Sequence, residues 1–193
     1  MEPFTKNQIR QNLLQDRNNF TASKKINAAI LKNFIEYSKT ILKFDSIIAG
    51  YYPIGSEFNI LPILEQLSQQ SFQIVLPIIE PSNLTIKFYS WTPQTKMIPS
   101  KYTSSILEPL DRKIELVPSI VIVPIIGCDL SGNRIGSGKG MYDKSIAQLR
   151  TLNPDLVYIG ICYDLQLLET IPTETHDQKL DIIITETRII KYL

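Results

Sequence analysis

The sequence predicts an α/β layered domain built on a largely parallel sheet. Five short apolar runs rich in Ile and Val are spread along the chain, with helical segments between some of them. Near-continuous apolar runs are typical of strands buried on both faces, as in a parallel sheet whose two sides are covered by helices. The predicted strands are Ser46–Tyr52, Gln73–Pro77, Ser119–Pro124, Leu156–Cys162 and Asp181–Thr185.

The helices are predicted from apolar residues that recur at helical spacing. The first 40 residues contain two such groups, separated by a possible break near Thr21–Ser23. Further helices are predicted at Asn59–Gln69 and Met141–Thr151. The proline-rich residues 80–117 predict only short strands and loops. The apolar positions of the first two helices are Ile9, Leu13 and Leu14, then Ile26, Ala29, Ile30 and Phe34.

Length and composition favour one compact domain over residues 1–193. The formal net charge of +1 argues against a nucleic-acid partner, so any bound anion must meet a local cluster of positive charge. The polar segment Met1–Phe20 lacks the apolar centre of a signal peptide, and no apolar run approaches the roughly 20 residues needed to span a bilayer. We therefore expect no membrane partner and a cytoplasmic location.

The two cysteines, Cys128 and Cys162, lie in apolar stretches that predict strands or strand ends. They could pair if the strands were adjacent, but buried free thiols in a reducing compartment are the favoured interpretation. A metal site is less favoured, because neither has a second Cys or His at ligand spacing.

The densest chemical signal is a glycine-rich turn. Five of the eight glycines fall between Gly127 and Gly140, after one predicted strand and before the helix predicted at Met141. Glycines let consecutive backbone N–H groups converge on a phosphate, and Arg134 and Lys139 add full positive charges. Neither the Walker A spacing nor GxGxxG fits, because the glycines are spaced GxGxG. A flexible surface loop with incidental charges is the alternative.

Asp143 follows this turn at the expected start of the helix. An acidic residue in a first helical turn complements the helix dipole, and a carboxylate beside a phosphate site is also a candidate Mg²⁺ ligand. The residues alone leave both interpretations open.

The segment Arg134–Asp143 resembles the signature of the 5-formyltetrahydrofolate cyclo-ligase family, roughly Arg-x-Gly-x-Gly-Lys/Gly-Gly-x-Tyr-Asp. Three further segments match that family in the right order. Lys6 and Arg10 resemble its Lys-x-x-x-Arg helix, and Tyr51–Glu57 resembles its strand and turn with a glutamate. Residues 171–186 resemble its C-terminal pattern. The resemblance covers nearly the whole chain, with residues 80–117 matching only loosely.

The resemblance implies a single three-layer α/β domain in which ATP and folate meet at the carboxyl edge of the sheet. It also implies a reaction that uses ATP and Mg²⁺. The formyl oxygen of 5-formyltetrahydrofolate is phosphorylated, N10 attacks the activated carbon, and phosphate leaves as the 5,10-methenyl ring closes. We expect a monomer, with Lys139 and Arg134 acting on the transferring phosphoryl group. The residues expected to bind ATP are Lys6, Arg10, Arg134, Ile135, Gly136, Ser137, Gly138, Lys139, Gly140, Met141 and Tyr142.

The folate is expected to contact Tyr52 and Glu57, with the glutamate accepting hydrogen bonds from the amino-pyrimidine edge. Asp143 and Asp177 are the expected Mg²⁺ ligands. Met141 departs from the aromatic residue that the family often has there, which weakens a stacking role. Tyr142 could serve either ligand. We leave His176, the only histidine, out of the catalytic set, because a histidine beside a carboxylate is more often a hydrogen-bonding neighbour.

Two other kinds of protein remain open at this stage. Related layered folds host sugar-phosphate isomerases and CoA transferases, and fold alone does not choose among them. A CoA transferase would need a nucleophilic carboxylate, which the glycine-rich turn does not present. A divergent family member could bind nucleotide but act on another substrate, or serve as a sensor without enzymatic activity.

Overall fold

A computed structural model describes residues 5–192, in which four α-helices surround a seven-stranded sheet. The helices are α1 (Lys6–Asn19), α2 (Lys24–Ile41), α3 (Leu61–Gln69) and α4 (Met141–Leu152). The strands are β1 (Ile47–Ala49), β2 (Gln73–Glu80), β3 (Thr85–Trp91), β4 (Met97–Pro99), β5 (Leu107–Pro109), β6 (Ile120–Val123), β7 (Gly127–Asp129), β8 (Arg134–Ile135), β9 (Val157–Ile161), β10 (Leu167–Leu168), β11 (Ile182–Ile184) and β12 (Ile189–Lys191).

The main sheet has the order β12-β11-β9-β6-β1-β2-β3, and its five central strands are parallel. These five are the strands predicted from the apolar runs, which confirms the largely parallel sheet. The edge strands β3 and β12 pair in antiparallel orientation. Strand β6 lies in the middle and is buried at every position, as expected of a strand covered on both faces.

Helices cover both faces of the sheet, so the three-layer prediction is confirmed. On one face, Ile30 of α2 and Leu64 of α3 pack in a cluster with Ile48 of β1. On the other face, Ile146 of α4 packs in a cluster with Ala49 of the same strand. Adjacent residues of β1 thus point to opposite sides, and each side is closed by its own helix layer.

The chain leaves the sheet at Gly50, so β1 is shorter than the predicted strand Ser46–Tyr52. A Cβ on Gly50 would lie 2.6 Å from Cδ1 of Leu64, which means that α3 packs directly against the backbone there. Residues 51–60 therefore project beyond the carboxyl end of β1 instead of continuing it.

Residues 80–117 are more regular than predicted. Strand β3 pairs with β2 along seven residue positions, and Pro81 lies in the turn between them, so it does not interrupt the ladder. The outer edge of β3 is partly covered by residues 114–116, since Leu116 N–H donates to the Phe88 carbonyl. Strands β4 and β5 then form a separate two-stranded hairpin.

Helix α1 begins with a capping box between Thr5 and Gln8 and packs beside a small sheet of order β10-β7-β8. Its contact residue is Leu13, which lies so close to Gly127 that a Cβ there would be 2.3 Å from Leu13 Cδ1. This packing holds α1 across the carboxyl edge of the main sheet.

Both cysteines are buried, as predicted, and they lie side by side without a bond between them. The Sγ atoms of Cys128 and Cys162 are 3.7 Å apart. The pKa of the Cys162 thiol is raised well above its usual value, first by the neighbouring Cys128 thiol and then by burial.

Within residues 5–192, none of the helices is both long enough and apolar enough to cross a bilayer. The single domain over residues 1–193 stays a prediction, because Met1–Phe4 and Leu193 lie outside the described residues.

We expect Leu13→Ala to lower the free energy of unfolding by about 2–5 kcal/mol, because Leu13 is buried and its removal leaves a cavity over Gly127. Urea unfolding measures this loss. The exposed Gln11→Ala in the same helix is the control and should change stability by less than about 0.5 kcal/mol. Equal effects of the two substitutions would contradict the anchoring role of Leu13.

Candidate active site

A cavity of about 730 Å³ lies beyond the carboxyl ends of β1 and β6. This is where α/β sheets bind ligands, and its volume is within the range of small-molecule sites. Every residue expected to contact a ligand lines this one cavity. These residues are Lys6, Arg10, Tyr52, Glu57, Arg134, Ile135, Gly136, Ser137, Gly138, Lys139, Gly140, Met141, Tyr142, Asp143 and Asp177.

The glycine-rich turn forms one end of the cavity, between β8 and α4. Gly138 and Gly140 have φ angles of +84° and +63°, a region that favours glycine. Arg10 of α1 holds the turn, because its Nε–H donates to the Gly136 carbonyl at 2.8 Å. The Lys139 side chain is exposed on the turn and has no ion-pair partner among residues 5–192.

Arg134 lies beneath this turn and is only 8% exposed. Its Nη2 is 2.8 Å from Oδ1 of Asp143, and a Cβ on Gly136 would meet its Nη1 at 2.7 Å. Its Nε and Nη2 are buried without a well-aligned hydrogen bond in the described part of the chain. The guanidinium therefore supports the turn and pairs with Asp143, while its Nε has no partner among residues 5–192.

Lys6, in the first turn of α1, joins the helix to the loop before β11. Its Nζ forms ion pairs with Asp177 and, at 3.4 Å, with Glu174. Burial opposes ionisation of Asp177, but the hydrogen bonds from Lys6 and from the Glu174 N–H outweigh it, so the pKa of Asp177 is lowered.

The two carboxylates expected to bind Mg²⁺, Asp143 and Asp177, lie on neighbouring segments of the structure. Asp143 accepts a hydrogen bond at 3.0 Å from the N–H of Gln178, the residue that follows Asp177. Within residues 5–192, no group of three His, Cys, Asp or Glu side chains is arranged to hold a metal. One or two carboxylates completed by phosphate oxygens and water are what Mg²⁺ commonly takes, so the pair fits a metal that arrives with a nucleotide.

Glu57 lies at the other end of the cavity, in a turn closed by its own carboxylate. Its Oε2 accepts from the Ile54 N–H at 2.9 Å, and Gly55 has a φ of +56°. Burial raises the pKa of Glu57, while the Ile54 N–H and the charge of Arg17 oppose that rise. Tyr52 is half-buried beside this turn.

Tyr142 is close enough to Glu57 for their charges to interact. Burial raises the pKa of Tyr142 above the ordinary tyrosine value, and the nearby Tyr158 and Glu57 raise it further. The hydroxyl therefore stays protonated across physiological pH.

The sequence interpretation missed one wall of the cavity and one basic residue. The wall comes from the β4–β5 hairpin and from β2 and β3. Arg17 of α1 is the basic residue. Its position in the sequence could have revealed it, because it lies eleven residues after Lys6 and therefore on the same helical face. His176 lies on the cavity rim with an exposed side chain. The wall residues are Pro77, Ile79, Ile86, Tyr102, Thr103, Ser105, Ile106 and Leu107.

Comparison with known proteins gives the family. The pattern of the 5-formyltetrahydrofolate cyclo-ligase family matches residues 4–186. The chain belongs to that family. Membership makes it an enzyme of the ligase class and lends no support to the isomerase, transferase or sensor alternatives.

Individual relatives agree with the family match. The 5-formyltetrahydrofolate cyclo-ligase of Haemophilus influenzae is 28% identical over 71% of this chain and 74% of its own length. The one from Mycolicibacterium smegmatis is 25% identical over 97% of both chains. The solved structure of Aquifex aeolicus 5,10-methenyltetrahydrofolate synthetase has the same fold, with a TM-score of 0.77 and 23% identity over 96% of this chain and 92% of that one.

We expect Lys6→Met to raise the pKa of Asp177, because the substitution removes its hydrogen bond and its opposite charge. A carboxyl whose folded-state pKa is lowered stabilises the protein at pH values above its unfolded pKa of about 3.9. That stabilisation is lost as pH falls through the folded-state pKa. The variant should therefore show a smaller loss of stability in acid. Carboxyl NMR titration of Asp177 between about pH 2 and 6 measures the change.

Lys25→Met is the matched control for this titration, because Lys25 is exposed and makes no ion pair within residues 5–192. It should leave Asp177 unchanged. An unaltered Asp177 titration in Lys6→Met would show that the ion pair does not persist in solution.

Proposed function

We propose that this cavity converts 5-formyltetrahydrofolate to 5,10-methenyltetrahydrofolate with transfer of the terminal phosphoryl group of ATP to the formyl oxygen and release of ADP and phosphate. The observation that carries the proposal is the shared cavity, because cations and a glycine-rich turn line it together with a half-buried carboxylate and an apolar wall. A triphosphate and a pterin need these two environments, and phosphoryl transfer between them requires a common space.

The ATP triphosphate is assigned to the glycine-rich turn and α1. The backbone N–H groups of residues 135–142 can converge on phosphate oxygens, and the N-terminus of α4 adds its dipole. Lys6 and Arg10 approach from α1, and Lys139 supplies a charge on the turn itself. Arg134 is assigned a catalytic role because its buried guanidinium lies under the same turn and its Nε has no partner among residues 5–192.

Mg²⁺ is assigned to Asp143 and Asp177, where it would neutralise charge on the phosphates. For this to occur, Asp143 must share or release Arg134, and Asp177 must share or release Lys6. The phosphate oxygens of ATP can form ion pairs with both cations and so free the two carboxylates.

The folate is assigned to the opposite end. Glu57 would accept hydrogen bonds from the amino-pyrimidine edge, and Tyr52 would line the same space. The proximity of Tyr142 to Glu57 favours a folate contact for this tyrosine over an ATP contact. An apolar wall for the rest of the ligand is offered by cavity-lining residues of β2, β3 and the hairpin, namely Ile79, Ile86, Ile106 and Leu107.

In this arrangement the protein orients and stabilises and needs no nucleophile of its own. Glu57 fixes the pterin so that the formyl oxygen faces the terminal phosphate. Lys139 and Arg134 stabilise the negative charge on the transferring phosphoryl group. With the folate held in this way, N10 attacks the activated formyl carbon, and phosphate leaves as the methenyl ring closes.

The test is a spectroscopic assay with MgATP and 5-formyltetrahydrofolate. The methenyl product is conjugated and absorbs at longer wavelength than the substrate, so conversion is directly visible. Product that requires both ATP and Mg²⁺ would support reaction, co-substrate and metal together. Bound ATP without product would overturn the proposed reaction.

We expect Lys139→Ala to lower turnover by about 10²–10³-fold while the protein stays folded, because the substitution removes a charge that acts on the transferring phosphoryl group. The same assay and a thermal unfolding curve measure the two properties. Lys144→Ala is the control, since Lys144 donates to the Asn83 carbonyl outside the cavity. Near-normal turnover in Lys139→Ala would remove the lysine from the mechanism.

A further inference from the structure

Arg17 is a buried positive charge that forms no ion pair with any carboxylate among residues 5–192. Its side chain lines the cavity, and the residue is only 6% exposed. Its Nε–H donates to Ser56 Oγ at 3.0 Å and its Nη1–H to the Ile125 carbonyl at 3.1 Å. Both acceptors are neutral, and Arg17 forms no ion pair within residues 5–192.

The other buried arginine, Arg134, differs in this respect because it has Asp143 beside it. A buried ion normally has a partner of opposite charge, since leaving water is costly for it. The lack of one at Arg17 indicates that its charge acts on something in or beside the cavity.

The position of Arg17 along α1 shows which part of the cavity its charge acts on. Arg17 is seven residues after Arg10, and therefore about 10 Å further along α1, away from the glycine-rich turn that Arg10 holds. It contacts Ser56, which directly precedes Glu57. Ser56 also donates to Asn18 of the same helix, so α1 holds this turn at two adjacent residues.

We propose that Arg17 is a positioning residue of the folate end, whose charge keeps Glu57 in its carboxylate form and whose Nε–H fixes the Ile54–Glu57 turn through Ser56. This inference rests on the proposed folate function. It adds a residue with a specific role, because a charged acceptor for the amino-pyrimidine edge must stay ionised in a buried place.

Among the side chains around Glu57, Arg17 supplies the opposite charge. Burial favours the neutral acid and raises the pKa of Glu57, the Ile54 N–H opposes this first, and the charge of Arg17 opposes it further. The other titratable groups that face it are Tyr51, after β1, and Tyr142 of α4. Burial raises the pKa of both tyrosines above the ordinary value, so neither changes charge between about pH 5.5 and 8.5.

The experiment measures the affinity of the whole protein for 5-formyltetrahydrofolate by calorimetry, from about pH 5.5 to 8.5. Arg17→Met keeps the aliphatic bulk and removes the charge. The carboxylate then protonates more easily, so we expect the loss of affinity relative to the parent protein to grow as pH falls, approaching roughly tenfold for each unit by which the substitution raises the Glu57 pKa. Affinity should return as pH increases.

Three further variants separate charge from structure. Arg17→Lys retains a charge and should recover much of the lost affinity at pH 7. Ser56→Ala removes the hydrogen bond without removing charge and should keep the pH profile of the parent protein. In Glu57→Gln, adding Arg17→Met should produce no pH-dependent loss, because the group that titrates is gone.

A loss of affinity for 5-formyltetrahydrofolate in Arg17→Met that is equal at every pH would overturn the proposal, since it would show a structural effect alone. So would a loss of MgATP affinity with folate affinity intact, which would move Arg17 to the triphosphate. If Arg17→Met does not fold, Arg17→Gln takes its place, and a loss of folate affinity in that variant that is equal at every pH would overturn the proposal equally. Failure of the parent protein to bind 5-formyltetrahydrofolate is a separate result, and it would count against the proposed function itself.

Discussion

The cavity depends on the docking of α1 across the carboxyl edge of the sheet. Leu13 packs on Gly127, where no larger residue fits, and Arg10 is hydrogen-bonded to the Gly136 carbonyl. The inward face of the helix then carries Lys6, Arg10 and Arg17 along the length of the cavity. Without this contact the sheet and its layers would persist, but the glycine-rich turn would have nothing opposite it.

Two of the cations that line the cavity are paired with carboxylates even without a ligand. Lys6 is paired with Asp177, and Arg134 is paired with Asp143. A phosphate chain with a divalent cation carries both signs and can replace both pairs at once. An anion alone would leave the two carboxylates without partners, which disfavours simple anions as occupants.

The fold was readable from the sequence because strands buried on both faces are continuous apolar runs. Strand β3 was not readable, because it is an edge strand with exposed positions among buried ones. The glycine-rich turn could be found because its residues are contiguous and follow a family pattern. Arg17 could have been found from its helical spacing to Lys6, whereas the hairpin residues Tyr102–Leu107 could not, because only tertiary packing brings them to the cavity.

The ion pair between Lys6 and Asp177 joins residues 171 positions apart along the chain. Contacts between residues so far apart in sequence form late in folding, because closing the large loop between them costs entropy before the contact can stabilise the folded state. During synthesis the first helix must wait for nearly the whole chain to emerge before its binding partners exist. Ligand binding by this protein is therefore a stricter test of complete folding than its helix or sheet content, and shortening the chain near either described end would remove function before it removed the core.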